Sequence, residues 1–276
     1  MKKVLKRIIS INDISVFGKC SHTAALPILS SEGIEVCPVI TAYLSAHTAF
    51  ENPVITDMTT SLAPTLSHLD SLGVESDCVF TGYIYTNEQF DTVKKFVAER
   101  KAKGNIIITD PVMADDGKLY YPFDNTTVKN MRELCLFADY ITPNFTEACL
   151  LAGFPVIESV TKRQADSLIA RLNTLGINSK IIITGVPFED GSKVIIEGFN
   201  DRAEIHPCEY VEGSFCGTGD VFSAVFTAEI LKGTPISDTI DIARDFVAKA
   251  VAETKKADTD FRQGLLFEKF IGSENK

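Results

Sequence analysis

The sequence contains no Cys-x-x-Cys pair, and its seven cysteines (20, 37, 78, 135, 149, 208 and 216) are scattered and odd in number. Thiols in a reducing cytoplasm fit that pattern better than a disulfide framework or a zinc site. No apolar run approaches the length of a membrane span. No block of like charge is long enough to form a tail, and 27 basic against 37 acidic residues give a net charge of −10. That balance argues against nucleic acid or an anionic membrane as the main partner. Gly-x-x-x-x-Gly-Lys-Ser/Thr is absent, which excludes a P-loop kinase. The stretch Asp13 to Cys20, after the first expected strand, holds Gly18 alone rather than Gly-x-Gly-x-x-Gly, which excludes a Rossmann dehydrogenase. Linkers, repeats and low-complexity segments are also missing, so a single domain over residues 1–276 is expected. The basic start, Lys2 to Arg7, is followed by an apolar segment that Asn12 and Asp13 cut short with no small-residue cleavage site. It reads as a first strand, not a signal peptide.

What is present is enough apolar content, 45%, for a substantial core. Short β-branched runs alternate with longer helical patterns. Strands are expected at Ile8 to Asn12, Glu35 to Ala42, Cys78 to Thr81, Asn105 to Asp110, Tyr140 to Thr142 and Lys180 to Thr184. Helices are expected at Ser21 to Glu32, Asp57 to Leu72, Glu88 to Lys103, Asn125 to Phe137, Thr161 to Leu175, Val221 to Leu231 and Asp238 to Thr254. Val194 to Glu197 and Glu204 to Pro207 form an antiparallel pair around Asn200-Asp201. The order implies an α/β fold with a doubly wound, mostly parallel sheet flanked by helices on both faces and a minor antiparallel edge. Ligands of such sheets sit beyond the carboxyl ends of the strands.

The densest chemical signal is Ser214-Phe215-Cys216-Gly217-Thr218-Gly219-Asp220, a glycine loop that opens a helix. Gly217 and Gly219 allow consecutive N–H groups of residues 217 to 220 to converge at the positive end of the helix dipole, a setting suited to a phosphate. A carboxylate there repels phosphate unless it has a task. Asp220 is either an N-cap satisfying helix amides or a base that takes the proton of an incoming hydroxyl while the amides stabilise the transferred group. Asp110 and Glu147 also follow strands or open helices. Asp110 precedes Pro111, and Glu147 stands three residues after Asn144, the spacing of a capping box. Three acids on one sheet edge suit magnesium carried in with a nucleotide.

These residues resemble the ribokinase-like small-molecule kinases, and within them the pyridoxal kinase branch, over nearly the whole chain. Gly217-Thr218-Gly219-Asp220 is similar to the family's anion hole and catalytic base. Asp110-Pro111-Val112-Met113 resembles its strand end near the nucleotide phosphates, and Thr142-Pro143-Asn144 with Glu147 its magnesium-side motif. Ser45-Ala46-His47-Thr48 and Thr81-Gly82-Tyr83 are similar to segments lining the vitamin site. The resemblance implies that Asp13, Thr48 and Tyr83 meet the substrate ring, Asp115 and Tyr120 the phosphates, Asn144, Thr184 and Gly185 the nucleotide, Phe215 the adenine, and Glu147 and Asp110 the metal. It implies ATP-dependent phosphorylation of the 5′-hydroxymethyl of pyridoxal, pyridoxamine or pyridoxine, with ATP, Mg2+ and a monovalent cation as cofactors, in a cytoplasmic homodimer. Asp13 stands where many pyridoxal kinases have serine, an acid closer to hydroxymethylpyrimidine kinases. That kinase, and a non-catalytic vitamin B6 carrier or sensor, are the alternatives.

Overall fold

The computed structural model describes residues 4–208, 213 and 215–272, so Ser214 at the head of the glycine-rich stretch lies outside the described residues. In chain order the elements are β1 (Arg7–Phe17), α1 (Ser21–Ser31), β2 (Glu35–Ala46), β3 (Ile55–Asp57), α2 (Thr59–Ser71), β4 (Cys78–Thr81), α3 (Asn87–Ala102) and β5 (Ile106–Thr109). A two-stranded pair follows, β6 (Ala114–Asp115) and β7 (Lys118–Leu119), then α4 (Asn125–Cys135), β8 (Tyr140–Ile141), α5 (Phe145–Ala152) and α6 (Lys162–Thr174). β9 (Lys180–Pro187), β10 (Lys193–Phe199), β11 (Arg202–Pro207), α7 (Thr218–Lys232) and α8 (Ile236–Ala257) complete the set, with a 3-10 turn at Phe261–Gln263.

The chain divides into two compact units, one made of Met1–Phe80 with Val211–Lys276, the other of Thr81–Tyr210. In the first, β1 and β2 run parallel with Arg7 opposite Glu35, and β3 lies antiparallel on β2. β1 is buried without interruption from Arg7 to Asp13, as expected of a strand with no solvent face. Its register shifts between Asn12 and Ile14, so Asp13 occupies a bulge, a device that re-aims a side chain. α1 packs on β1 and on α7, and α7 on α8. Every residue of α7 from 221 to 231 is buried, which makes it a core helix rather than an amphipathic one.

In the second unit β5, β8 and β9 are parallel, and β10 and β11 extend the sheet antiparallel from β9. The doubly wound, mostly parallel α/β class read from the sequence is the one observed, with its antiparallel edge at β10 and β11. Some boundaries move. β1 runs past the polar Asn12-Asp13 because the bulge absorbs them, and β2 reaches Ala46 because β3 pairs with Ala42, Tyr43 and Leu44. β9 does not stop at Gly185: Val186 and Pro187 pair with Val194 and Lys193. The helix expected from Asp57 begins at Thr59, and Asp57 instead accepts the Thr59 amide at 2.8 Å through Oδ1. Among the described residues, no helix is long and apolar enough to cross a membrane.

Candidate active site

Gly217 is the N-cap of α7, at φ 81°, and Asp220 is the third helical residue. The N-cap reading of Asp220 is therefore corrected: the position before the helix must be left-handed, which glycine adopts without strain. The first intrahelical bond runs from the Val221 amide to the Gly217 carbonyl at 3.0 Å, so the N–H groups of residues 217 to 220 have no carbonyl partner in the helix. A Cβ on Gly217 would stand 2.2 Å from the Lys19 carbonyl oxygen, which puts the start of α7 directly against the turn between β1 and α1.

That turn brings a second acid. Asp13 is buried, its Oδ2 accepts from Ser15 Oγ at 3.3 Å, and its Oδ1 has no donor at full hydrogen-bonding geometry. Burial pushes its carboxyl up to about 6 against the pull of the Ser21 and Ser15 hydroxyls. Burial also pushes Asp220 up to about 7; the charge of Asp13 adds to the rise, and the amides of Ser21 and of Asp220 itself oppose it. Asp220 nevertheless keeps part of its surface open. A carboxyl that holds its proton near neutrality, beside amides with no carbonyl partner in the helix, has the properties of a general base in acyl or phosphoryl transfer. Cys20 borders both acids and is driven well above its ordinary range by burial and their charges, so it is an inert thiol.

In the second unit Glu147 lies in the first turn of α5 and is buried. Its Oε1 accepts from the amides of Met113 at 3.0 Å and Ala114 at 3.4 Å, and its Oε2 from the Asn144 amide at 2.9 Å. Asn144 Oδ1 accepts the Glu147 amide at 2.9 Å, closing the capping box, and its Nδ2 donates to the Ala114 carbonyl at 2.7 Å. The pair thus clamps the turn after β5 onto the start of α5. Burial pushes Glu147 up to about 8, with the three amides pulling the other way and Asp115 adding to the rise. With both oxygens engaged by amides, Glu147 is a strut. Among the described residues no three His, Cys, Asp or Glu side chains group as a cation cage.

A model of the phosphomethylpyrimidine kinase family matches residues 26–263, most of the chain, including Asp110, Glu147 and Asp220 but not Asp13. The chain belongs to the phosphomethylpyrimidine kinase family. Within this ribokinase-like family it falls in the pyridoxal kinase branch. The pyridoxine kinase of Bacillus subtilis is 28% identical over 208 residues, covering 73% of this chain and 72% of its own. A Bacteroides thetaiotaomicron protein assigned to the phosphomethylpyrimidine kinases, solved with pyridoxal, superposes with a TM-score of 0.93 at 31% identity, covering 99% of this chain and 96% of its own. The pyridoxal kinase of Leishmania donovani in complex with ADP and ginkgotoxin superposes with a TM-score of 0.80 at 26% identity over 96% and 94% of the two chains.

For this phosphomethylpyrimidine kinase family member, the residues singled out in the sequence separate into groups. Asp13 and Asp220 come together with Gly217, Thr218 and Gly219 in the first unit. Glu147, Asn144, Asp110 and Asp115 gather in the second, where the charges of Glu147 and Asp110 both reach Cys135. Thr184 bridges to Asn144 and donates its amide to the Pro143 carbonyl at 3.0 Å, and Gly185 follows it at φ 67°. Tyr120 donates its amide to the Met113 carbonyl at 2.9 Å. Three residues join neither acid cluster. Thr48 is exposed in the turn after β2, Tyr83 is buried with its ring 5.0 Å from that of Phe123, and Phe215 packs its ring 4.4 Å from Phe261. His47 is a satisfied residue, with Nε2 on the Arg262 carbonyl at 2.6 Å and Nδ1 accepting the Ala49 amide at 3.3 Å. Sequence reasoning missed Ser21. Its left-handed φ of 49° leaves no compositional trace, since serine is not a residue that advertises such a turn.

The raised acids have a consequence for stability. Asp220 at about 7 and Glu147 at about 8 hold protons in the folded state that the unfolded chain has released. Their contribution is complete below the ordinary carboxylate range and is lost as pH rises through the folded values. His22, lowered by burial to about 4 from 6.5, acts in the opposite sense but is fully expressed above 6.5. The thermal midpoint should therefore fall between pH 6.5 and pH 8, and Asp220→Asn should flatten that slope in calorimetry. A midpoint that rises over the window would contradict the burial of these acids.

Proposed function

We propose that the chain transfers the γ-phosphoryl group of ATP to the 5′-hydroxymethyl of pyridoxal, pyridoxamine or pyridoxine. The observation that carries this reading is the place of Asp220, a partly open carboxyl in the first turn of α7, beside amides that have no carbonyl partner within the helix. The pyridoxal found with the Bacteroides relative and the ADP found with the Leishmania kinase supply the two ligand classes. Ionised Asp220 takes the alcohol proton as the new O–P bond forms and the bond from the γ-phosphorus to its bridging oxygen breaks, leaving ADP. Amides of residues 217 to 220 stabilise the charge spread over the transferring oxygens. Asp13 offers a buried acceptor to the substrate ring. Because Asp220 must be ionised to act, turnover should rise with pH through about 7.

A coupled assay of ADP release over a panel of small alcohols tests the reading. Pyridoxal or a sister vitamer should exceed hydroxymethylpyrimidine in kcat/KM by about tenfold or more. The acid at Asp13 and the name of the matching family favour the pyrimidine as the rival, and its preference in direct competition would replace the substrate proposed here. Binding of pyridoxal with no ADP release would mark a carrier instead.

A further inference from the structure

Three consecutive carbonyls of the 3-10 turn at Phe261–Gln263 are taken by three different loops of the first unit. Phe261 accepts the Cys216 amide at 3.4 Å just before α7, Arg262 accepts His47 Nε2 at 2.6 Å in the turn after β2, and Gln263 accepts the Lys19 amide at 3.2 Å between β1 and α1. The Phe261 ring adds to the first of these holds, 4.4 Å from that of Phe215. One short turn thus ties the segment that carries Thr48 to the segment that carries Asp220.

Any residue at position 262 would offer that carbonyl; the arginine side chain does more. Asp260 caps the turn through Oδ1, which accepts the Arg262 amide at 3.0 Å, and the same carboxylate takes the guanidinium in a fork. Nε lies 3.0 and 3.1 Å from its two oxygens and Nη2 2.6 Å from Oδ2. With the two side chains 53% and 37% exposed, the ion pair adds little stability. Its effect is geometric, because a planar guanidinium gripped along one edge has few directions left to face. It lies over the Phe50 ring, 5.1 Å from the centroid. Phe50 in turn packs on Phe17 at 5.4 Å and on His47 at 4.9 Å, and its amide donates to the His47 carbonyl at 3.0 Å. Residue 262 therefore grips this turn twice, His47 by its carbonyl and Phe50 by its cation, and Thr48 lies between the two grips.

We propose that Arg262 is a positioning residue for the acceptor alcohol: forked onto Asp260 and laid over Phe50, it holds the turn that carries Thr48 in place relative to the glycine loop and Asp220. The inference rests on the reading of Asp220 as the base, with the alcohol bound beside it. Arg262 acts through Phe50 and His47 and need touch no substrate. Asn144, Thr184 and Gly185, the residues expected to meet the nucleotide, belong to the second unit, so binding of the alcohol is what should respond.

The test uses the full chain with Arg262→Gln, Arg262→Lys, Phe50→Leu and the double variant Arg262→Gln/Phe50→Leu. Amide hydrogen exchange over residues 45–54, measured without ATP or alcohol, should quicken about three- to tenfold in Arg262→Gln and in Phe50→Leu. The double variant should go no further, since each substitution removes the same contact. Arg262→Lys keeps the cation but loses the fork, and should fall between the parent chain and Arg262→Gln. KM for the accepted alcohol should rise in the same order and by similar factors, with kcat, KM for ATP and the melting midpoint little changed. A merely structural arginine would lower the melting midpoint and quicken exchange in α7 as well. That pattern overturns the inference, as do exchange over residues 45–54 equal to the parent's, additive effects of the two single variants, or a quickened turn with an unmoved KM for the alcohol. A parent chain that phosphorylates no alcohol defeats the proposed function alone, since exchange reads the grip of Arg262 without turnover.

Discussion

Replacing Asp220 with asparagine should lower turnover by about 10²–10⁴-fold while nucleotide binding largely survives. Asparagine preserves the size of the side chain at the third position of α7, so the helix start is expected to stand. It removes the carboxyl in the first turn of α7 that can accept a proton near pH 7. Because the amides of residues 217 to 220 remain, the stabilisation they give the transferring group is retained, and residual activity should exceed the uncatalysed rate. Single-turnover kinetics together with equilibrium titration of ADP separate the two effects. Unchanged turnover in the variant would remove Asp220 as the base, and loss of nucleotide binding would mark it as an element of the loop's architecture.

The second large effect is structural. Gly217→Ala meets two obstacles together: a φ of 81° that L side chains rarely adopt, and the Lys19 backbone oxygen 2.2 Å from the new Cβ. Backbone cannot swing aside as a long side chain can, so a loss of about 2–4 kcal/mol in denaturant unfolding is expected. Gly219→Ala is the control. Its φ is ordinary and nothing lies within 4 Å of the added atom, so stability should change by less than about 1 kcal/mol. If a phosphate rests on these amides, however, the methyl group stands in its approach, and Gly219→Ala should lose turnover while staying folded. A stable, fully active Gly219→Ala would argue against the anion site.

The alternation of strands and helices was legible because the buried strands β5 and β9 carry uninterrupted β-branched runs, and because glycines stand where α1, α3 and α7 end. The capping box of Asn144 and Glu147 was legible for the same reason: it is a local pattern with a local cause. Less visible were features that depend on partners far along the chain. β2 continues to Ala46 because β3 is there to pair with it, and Asp13 stays in a strand because a bulge accommodates it. The engagement of both Glu147 oxygens by Met113, Ala114 and Asn144 required coordinates, since spacing alone could not distinguish a strut from a ligand. Phe215 lies in the motif, but its packing on Phe261 is decided some 46 positions downstream. Ser21 was hidden because its unfavourable backbone angle falls on a residue with no preference for it.

The composition of the first unit from two distant stretches, Met1–Phe80 and Val211–Lys276, sets an order on biosynthesis. The second unit is continuous, so its strands have all their neighbours once residue 210 leaves the ribosome, whereas β1 and α1 must wait for α7 and for the carbonyls of Phe261, Arg262 and Gln263, which take the Cys216 amide, His47 Nε2 and the Lys19 amide. A nascent chain that stalls before residue 261 would carry the loop and its aspartate without the backbone groups that brace them.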